Sequence, residues 1–388
     1  MEKKIKVAHI ITKLELGGAQ RNTLYTVQNL DRKNFLPVLI SGKGGILDNE
    51  AKNLKDTKLY FLKSLIREIN PLSDILALIA LTKILRKEKP DIVHTHSSKA
   101  GILGRWASKF SGVPIIIHTF HGFGFNDYQK WFTKNFFILL EKLTAKITNK
   151  LIAVSKENIK TALKYKIGTK DKYILIRSGI KLSFYKNLKI DINQKKSELG
   201  LPKNSKIITT IGPFKPQKNL TDFIEMAKIV VNYSLTYSPF FLIIGDGEQR
   251  KELGLKIKDL NLTEKILLPG WRKDIPELLA ITDIFVMTSL WEGLPRAVVE
   301  AMVSCKPVVA YSVDGIKDII VDGKNGFLAK PKDVRTLSEK VIMLLRDEDL
   351  AKKLGETGRN SIDESFDIDF MVTQQEKLYQ ELLLNQGE

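Results

Sequence analysis

The chain has 388 residues, 43% of them hydrophobic, with 62 Lys+Arg against 44 Asp+Glu and a net charge of +18. That apolar share excludes a disordered or low-complexity chain, and the length predicts two or three domains. One cysteine, Cys305, excludes an intramolecular disulfide framework and a cysteine-only zinc site, which suits a reducing cytoplasm.

The amino-terminal apolar run, Val7 to Ile11, is too brief for a secretory leader. Strand-like runs then alternate with amphipathic helical stretches, the pattern of doubly wound parallel α/β sheets. Strands are expected at residues 6–11, 36–40, 92–96, 115–119, 151–154 and 173–176, and helices at 19–30, 72–87, 131–148 and 156–165. The longest apolar stretch, residues 75–81, is far short of the roughly 20 needed to span a bilayer, so a soluble chain is expected. Residues 185–205 change character: Asn187, Asn193, Gly200, Pro202 and Asn204 among lysines read as a linker. A second alternation follows, with strands at 207–211, 240–244, 265–268, 283–287 and 307–310 and helices at 220–231, 249–260, 275–280 and 296–303. No short-period repeat is present. Two open α/β domains, 1–187 and 188–368, are expected, with a cleft between the carboxyl edges of their strands, where ligands of such sheets bind.

Charge is unevenly divided. Residues 1–190 hold 35 basic and 14 acidic residues, a net of +21, while residues 191–388 hold 27 and 30, a net of −3. The excess points to an anionic partner for the first half, or else to solvated lysine faces. Nucleic acid is not expected, because zinc-finger spacing, a glycine-aromatic platform and a basic heptad region are all missing from the sequence. Residues 128–150 place Lys130, Lys134, Lys142, Lys146 and Lys150 in one i+4 series beside Trp131, Phe132, Phe136, Phe137, Leu140 and Leu143. Such a helix either buries its apolar face in the core or rests on an anionic membrane. With the charge of this half, a peripheral membrane association is the expectation.

Four clusters carry chemistry. Gly17 and Gly18 stand between the first strand and its helix, either as a plain turn or as a backbone that admits a phosphate to the helix amino terminus. The Walker Lys-Ser/Thr is missing there, which disfavours a P-loop. All five histidines fall within the first 121 residues. His94 and His96 share one strand face, but no carboxylate or cysteine cluster accompanies them, so no metal is expected. His121 lies beside the glycine-rich turn Gly122-Phe123-Gly124, either capping the loop or facing the expected cleft. In Gly212-Pro213-Phe214-Lys215-Pro216-Gln217-Lys218, Lys218 falls where a helix begins, so its ammonium and the helix dipole converge on one anion. Finally, Glu292 and Glu300 bracket a Gly293-Leu294-Pro295 turn, too far apart to touch the same atoms, with the Gly293 and Leu294 amides placed to face a phosphate.

Taken in this order, the four clusters resemble the retaining glycosyltransferases of family 4, which have the GT-B fold of two Rossmann-like domains facing each other across a cleft. The resemblance covers essentially the whole chain. Gly17-Gly18-Ala19 is similar to the family's amino-terminal glycine loop. His94 to Gly101 with His118 to Gly122 resembles members that build bacterial surface polysaccharides. Ala153-Val154-Ser155 and Ser178-Gly179-Ile180 match its inter-domain segment, and Glu292 to Glu300 its Glu-x7-Glu motif. Val313 to Ile316 and Asp322 to Leu328 complete the nucleotide domain, and residues 369–388 match the closing helix that crosses back to the first domain. Two departures stand out: Pro213 where many members have an arginine, and Arg177-Ser178-Gly179-Ile180-Lys181 for the usual Asn-Gly-Val-Asp.

The resemblance implies a nucleotide-sugar donor, UDP by default, and a lipid-linked or oligosaccharide acceptor, best a polyprenyl-diphosphate saccharide. It assigns Glu300 to the ribose, Glu292 to the donor sugar, and His121 to the sugar or the acceptor hydroxyl. No DxD metal motif falls in a plausible place, since Asp367-Ile368-Asp369 reads as a helix start. Lys218, with Lys215, and the amides near Gly293 then meet the charge of the departing diphosphate, with no metal or other cofactor expected. The expected location is cytoplasmic, at the inner face of the membrane. Alternatives are a sugar-nucleotide epimerase of the same shape, a glycogen- or sucrose-type synthase with a soluble acceptor, and a non-catalytic sugar-nucleotide-binding module.

Overall fold

The computed structural model describes residues 4–186, 188, 190–233 and 239–385. The chain divides into two compact units, Met1–Gly179 with Ile368–Glu388, and Ile180–Asp367. The first contains strands β1 (Ile5–Lys13), β2 (Phe35–Gly42), β3 (Lys58–Leu62), β4 (Ile92–His96), β5 (Ile115–Phe120), β6 (Lys150–Ala153) and β7 (Tyr173–Leu175). They form one parallel sheet in the order β3-β2-β1-β4-β5-β6-β7. The second contains β8 (Lys206–Ile211), β9 (Pro239–Ile244), β10 (Ile266–Gly270), β11 (Ile284–Met287), β12 (Val308–Tyr311) and β13 (Phe327–Ala329), in the order β10-β9-β8-β11-β12-β13. In each sheet the order reverses beside the first strand, at β1/β4 and at β8/β11, the switch point where such sheets bind ligands.

The central strands are buried almost throughout because helices cover both faces, although β4 and β5 carry His and Thr toward their carboxyl ends. Every residue of β4, β5, β11 and β12 is buried. Under one face of the first sheet, Val7, Phe35, Ile92 and Ile117 pack with Met371, Val372, Leu378 and Tyr379. Those last four belong to the helix Ile368–Leu384, so the carboxyl-terminal segment completes the core of the first unit.

The expected strands are present; β3 and β13 are additional. Both lie at sheet edges. The helix Ser98–Phe110 is also additional, and its buried positions explain why. Ala100, Gly101, Gly104, Arg105, Ala107 and Ser108 are small or polar, so no apolar stripe marks them. The division between units falls at Ile180 rather than at 188. Ile180 pairs with Asp367 and donates its N–H to the Phe366 carbonyl (2.9 Å), while the Leu182 N–H donates to the Asp367 carboxylate (3.3 Å). Residue 187, where the first domain was expected to end, lies outside the described residues.

The expected lysine series is broken. The helix is Trp131–Lys146, with Lys150 in β6, where its ammonium donates to the Asp171 carbonyl (2.6 Å). Lys134 is held by Asp127 at 2.5 Å. Among the described residues, no helix is long and apolar enough to cross a membrane.

Candidate active site

In the second unit, the chain leaves β8 through Gly212 and Pro213, makes a 3-10 turn over Pro216–Lys218, and enters the helix Leu220–Asn232. Asn219 takes a left-handed conformation (φ 47°) to join the two. Lys218 thus ends the turn just before the helix, and Lys215 opens it, its N–H donating to the Pro213 carbonyl (2.9 Å). The aliphatic stem of Lys218 lies over Gly212. A Cβ there would stand 2.9 Å from Lys218 Cε, so a side chain at this position would push the lysine stem aside.

Lys218 points at Glu292. Its ammonium donates to Glu292 Oε1 at 2.5 Å, and both side chains are largely shielded, 13% and 9% exposed. Glu292 belongs to the segment between β11 and the helix Arg296–Val303. Three bonds stitch the two segments together: Leu290 N–H to the Gln217 carbonyl (2.9 Å), Gln217 Nε2 to the Trp291 carbonyl (2.8 Å), and Thr288 hydroxyl to the Lys218 carbonyl (2.9 Å). The Glu292 N–H in turn donates to Asp314 (2.9 Å). Gly293 and Leu294 are buried directly ahead of Pro295, which precedes the helix. Glu300 sits within that helix, 3.9 Å from the Arg296 guanidinium, so the two glutamates occupy different places. The structure therefore brings Lys218 and Glu292 together and leaves Glu300 a turn deeper. Gln217 and Asp314 fall in segments the sequence singles out, but neither they nor Thr288 are expected as site residues. Each bonds through its side chain to a backbone group of the other segment, a contact no residue-type pattern reveals.

In the first unit, Gly17 is extended (φ −166°) and Gly18 opens the helix Gly18–Asn29. The Gly17 carbonyl accepts the Arg21 N–H at 3.0 Å, and no side chain caps the helix. Beside this turn, at the end of β4, Ser97 holds a strained backbone (φ 63°, ψ 159°). Its hydroxyl lies 2.7 Å from that of Thr12, which accepts the Ala100 N–H at 3.1 Å. These bonds pin the ends of β1 and β4 together.

The histidines collect on the same part of the sheet. His9 in β1 stands opposite His94 in β4, and the His94 and His96 rings lie 4.2 Å apart. His94 is bracketed by the hydroxyls of Tyr379 and Thr119, both at 2.6 Å. His121 follows β5, its Nε2 at 3.2 Å from His96 Nδ1. Burial pushes the His9 ring down to about 3 and His121 to about 4; it holds His94, His96 and His118 well below the ordinary value. All five are therefore neutral near pH 7. His9, His94 and His96 each bring a nitrogen within 4.8 Å of the others, a spacing compatible with a metal. Both His94 nitrogens are engaged by hydroxyls, however, and His9 and His96 face one another at 3.1 Å. The sequence pairs only His94 and His96; that His9 joins them depends on parallel pairing of β1 with β4.

A family model described as "Glycosyl transferases group 1" matches residues 191–361, and one described as "Glycosyltransferase Family 4" matches residues 16–184. The UDP-Gal:alpha-D-GlcNAc-diphosphoundecaprenol alpha-1,3-galactosyltransferase of Escherichia coli is 34% identical over 383 residues, 98% of each chain. The N,N'-diacetylbacillosaminyl-diphospho-undecaprenol alpha-1,3-N-acetylgalactosaminyltransferase of Campylobacter jejuni is 27% identical over 367 residues, 92% of this chain and 93% of that one. Among solved structures, Anabaena HepE in complex with UDP and glucose superposes with a TM-score of 0.82 at 19% identity, over 97% of this chain and all of the other. These matches span both units and favour glycosyl transfer over the epimerase alternative. The chain belongs to the family 4 glycosyltransferases of GT-B fold, with a group 1 glycosyltransferase domain as its second unit.

Proposed function

We propose that the protein is a retaining, metal-independent glycosyltransferase that moves a hexosyl or N-acetylhexosaminyl group from a UDP-sugar to a polyprenyl-diphosphate-linked saccharide in surface-polysaccharide assembly. The observation that carries this reading is the shielded Lys218–Glu292 pair beside the helix Arg296–Val303. Support for the substrates comes from the names of the Escherichia coli and Campylobacter jejuni relatives, which both act on diphosphoundecaprenol-linked sugars, and from the UDP bound to HepE.

In this reading the bond from the anomeric carbon to the donor diphosphate breaks, and a bond from that carbon to the acceptor oxygen forms. The acceptor's hydroxyl proton leaves with the diphosphate. The barrier is the negative charge that grows on the departing group. Lys218, with Lys215 at the other end of the turn, meets it as a preorganised cation. Arrival of the donor exchanges the Glu292 oxygen on Lys218 for phosphate oxygens and frees Glu292 for the sugar hydroxyls. Gly293 and Leu294 supply amides ahead of the helix, Glu300 takes the ribose, Gly17 and Gly18 admit the ligand to the first unit, and His121 meets a sugar or acceptor hydroxyl.

The same reading places the protein at the cytoplasmic face of the membrane. Trp131 and Phe132 are 68% and 79% exposed on the helix Trp131–Lys146, with Phe136, Leu139 and Leu143. Leu72, Ile75, Leu76 and Ile79 of the helix Pro71–Glu88 are exposed too. Single exposed apolar residues need no explanation, but two such rows on a basic unit suit an anionic lipid surface. Incubation with a panel of UDP-sugars and a polyprenyl-diphosphate saccharide, with product analysis, tests the assignment. A glycosylated lipid product is expected, and conversion of the UDP-sugar alone to its epimer would overturn it.

A further inference from the structure

Three imidazoles stand in a row in the first unit. His9 Nδ1 lies 3.1 Å from His96 Nε2, and His96 Nδ1 lies 3.2 Å from His121 Nε2. The row has two loose ends, since His9 Nε2 and His121 Nδ1 are enclosed without a hydrogen-bond partner among the described residues. His94 does not complete it, because its nitrogens serve Tyr379 and Thr119.

A neutral imidazole has one N–H and one bare nitrogen. Burial keeps His9, His96 and His121 deprotonated near neutral pH, so each ring can give one bond and take one. Two contacts then lock three rings into a single direction. Either the hydrogens run toward His9, leaving His121 Nδ1 bare, or they run toward His121, leaving His9 Nε2 bare. The surroundings choose between these. His9 is in mid-strand, fully buried, between Leu39 of β2 and His94 of β4, where no ligand oxygen reaches. An N–H stranded there would be an unsatisfied buried donor. His121 is half-buried, unlike His9, and stands in the segment after β5 at the carboxyl end of the sheet where ligands of such sheets bind, so a ligand seated there can bring an oxygen against its enclosed Nδ1.

We propose that His9 and His96 are positioning residues that fix the tautomer of His121 through this row, so that His121 meets a substrate oxygen as a hydrogen-bond donor through Nδ1–H. This rests on the role given to His121 above. Neither His9 nor His96 touches substrate; each acts through its neighbour.

The test is long-range 1H–15N NMR of the full chain labelled with 15N-histidine, joined to kinetics of three variants. In the wild type His121 is expected as a single tautomer with its hydrogen on Nδ1. His96→Leu, which breaks the row, should drive His121 into a mixture of tautomers. It should lower kcat by up to about a hundredfold while leaving KM for the donor within about twofold. His96→Asn, which restores an amide at the Nδ1 position, should recover most of that loss. A hydrogen on Nε2 of His121, an unchanged His121 spectrum in His96→Leu, or equal loss in the Leu and Asn variants would each overturn the inference. So would zinc bound to the protein as purified whose removal rearranges the His9, His94 and His96 signals, because the metal would occupy the row's lone pairs. If neither variant folds, the wild-type spectrum decides. Full turnover in His121→Ala would instead remove the role of His121 itself and leave the spectra to judge the row.

Discussion

Lys218 and Glu292 are 74 residues apart in the chain, yet they form a 2.5 Å ion pair across two segments bonded to each other through Gln217 and Thr288. In the proposed mechanism the fold already holds this cation at the end of the strand, and the donor diphosphate takes over the contact that Glu292 makes with it. Pro213 stands on the same segment, where the resemblance leads one to expect an arginine, so in the proposed mechanism more of the charge falls to Lys218.

Lys218→Ala should therefore lower turnover on the order of a hundredfold or more, the effect of losing one preorganised donor worth about 2.7–4 kcal/mol. Steady-state kinetics with the cognate donor checks this, and near-wild-type turnover would refute the role. Glu292→Gln retains the shape but not the charge, and should weaken the chosen sugar donor more than it weakens UDP alone.

Transfer should continue in EDTA. If Lys218, Lys215 and backbone dipoles neutralise the leaving diphosphate, removal of divalent ions costs little. Loss of turnover in EDTA that added magnesium or manganese restores would show that a cation does this work.

Co-sedimentation with anionic vesicles at low salt should capture the protein, and replacing Trp131 and Phe132 with serine should release most of it. Higher salt should weaken binding, since the Debye length shrinks to about 8 Å at physiological ionic strength. Equal binding of wild type and double variant would remove this helix from the membrane contact.

Stability should fall as pH drops below about 6.5. His9, His94, His96 and His118 are fully buried, and their folded-state values lie below that of the unfolded chain. Between the two values the unfolded chain binds protons that the folded one refuses. Each of these groups then costs up to about 1.4 kcal/mol per pH unit as the solution is acidified. Urea denaturation at pH 7.5 and 5.5 reads the slope, and a flat profile would contradict the burial of these rings.

Arg105 and Glu141 form the most enclosed ion pair among the described residues, at 2.6 Å with the arginine wholly buried. It joins the helix Ser98–Phe110 to Trp131–Lys146. Arg105→Ala should destabilise the first unit by about 3–5 kcal/mol because it strands a buried carboxylate. The double change Arg105→Met with Glu141→Leu should regain most of this in urea denaturation.

The alternation of strands and helices, the Glu-x7-Glu segment and the basic first half were all legible in the residues, because burial period and local turn chemistry are written into neighbouring positions. What stayed hidden was of two kinds. The helix Ser98–Phe110 escaped because it buries glycine, alanine and a paired arginine where a periodic reading looks for leucine. The lysine series at 130–150 misled because even spacing does not say where a helix stops; Lys150 had already entered β6.

Sequence alone determined the kind of fold and the residue types that bear charge at the ends of its strands. Only tertiary structure decided which of them meet. Parallel strands join through long crossovers, so His9 and His96, 87 residues apart, become neighbours by sheet pairing alone. Local pattern encodes which face of an element is buried, but the partner on that face is chosen by the packing of the whole domain.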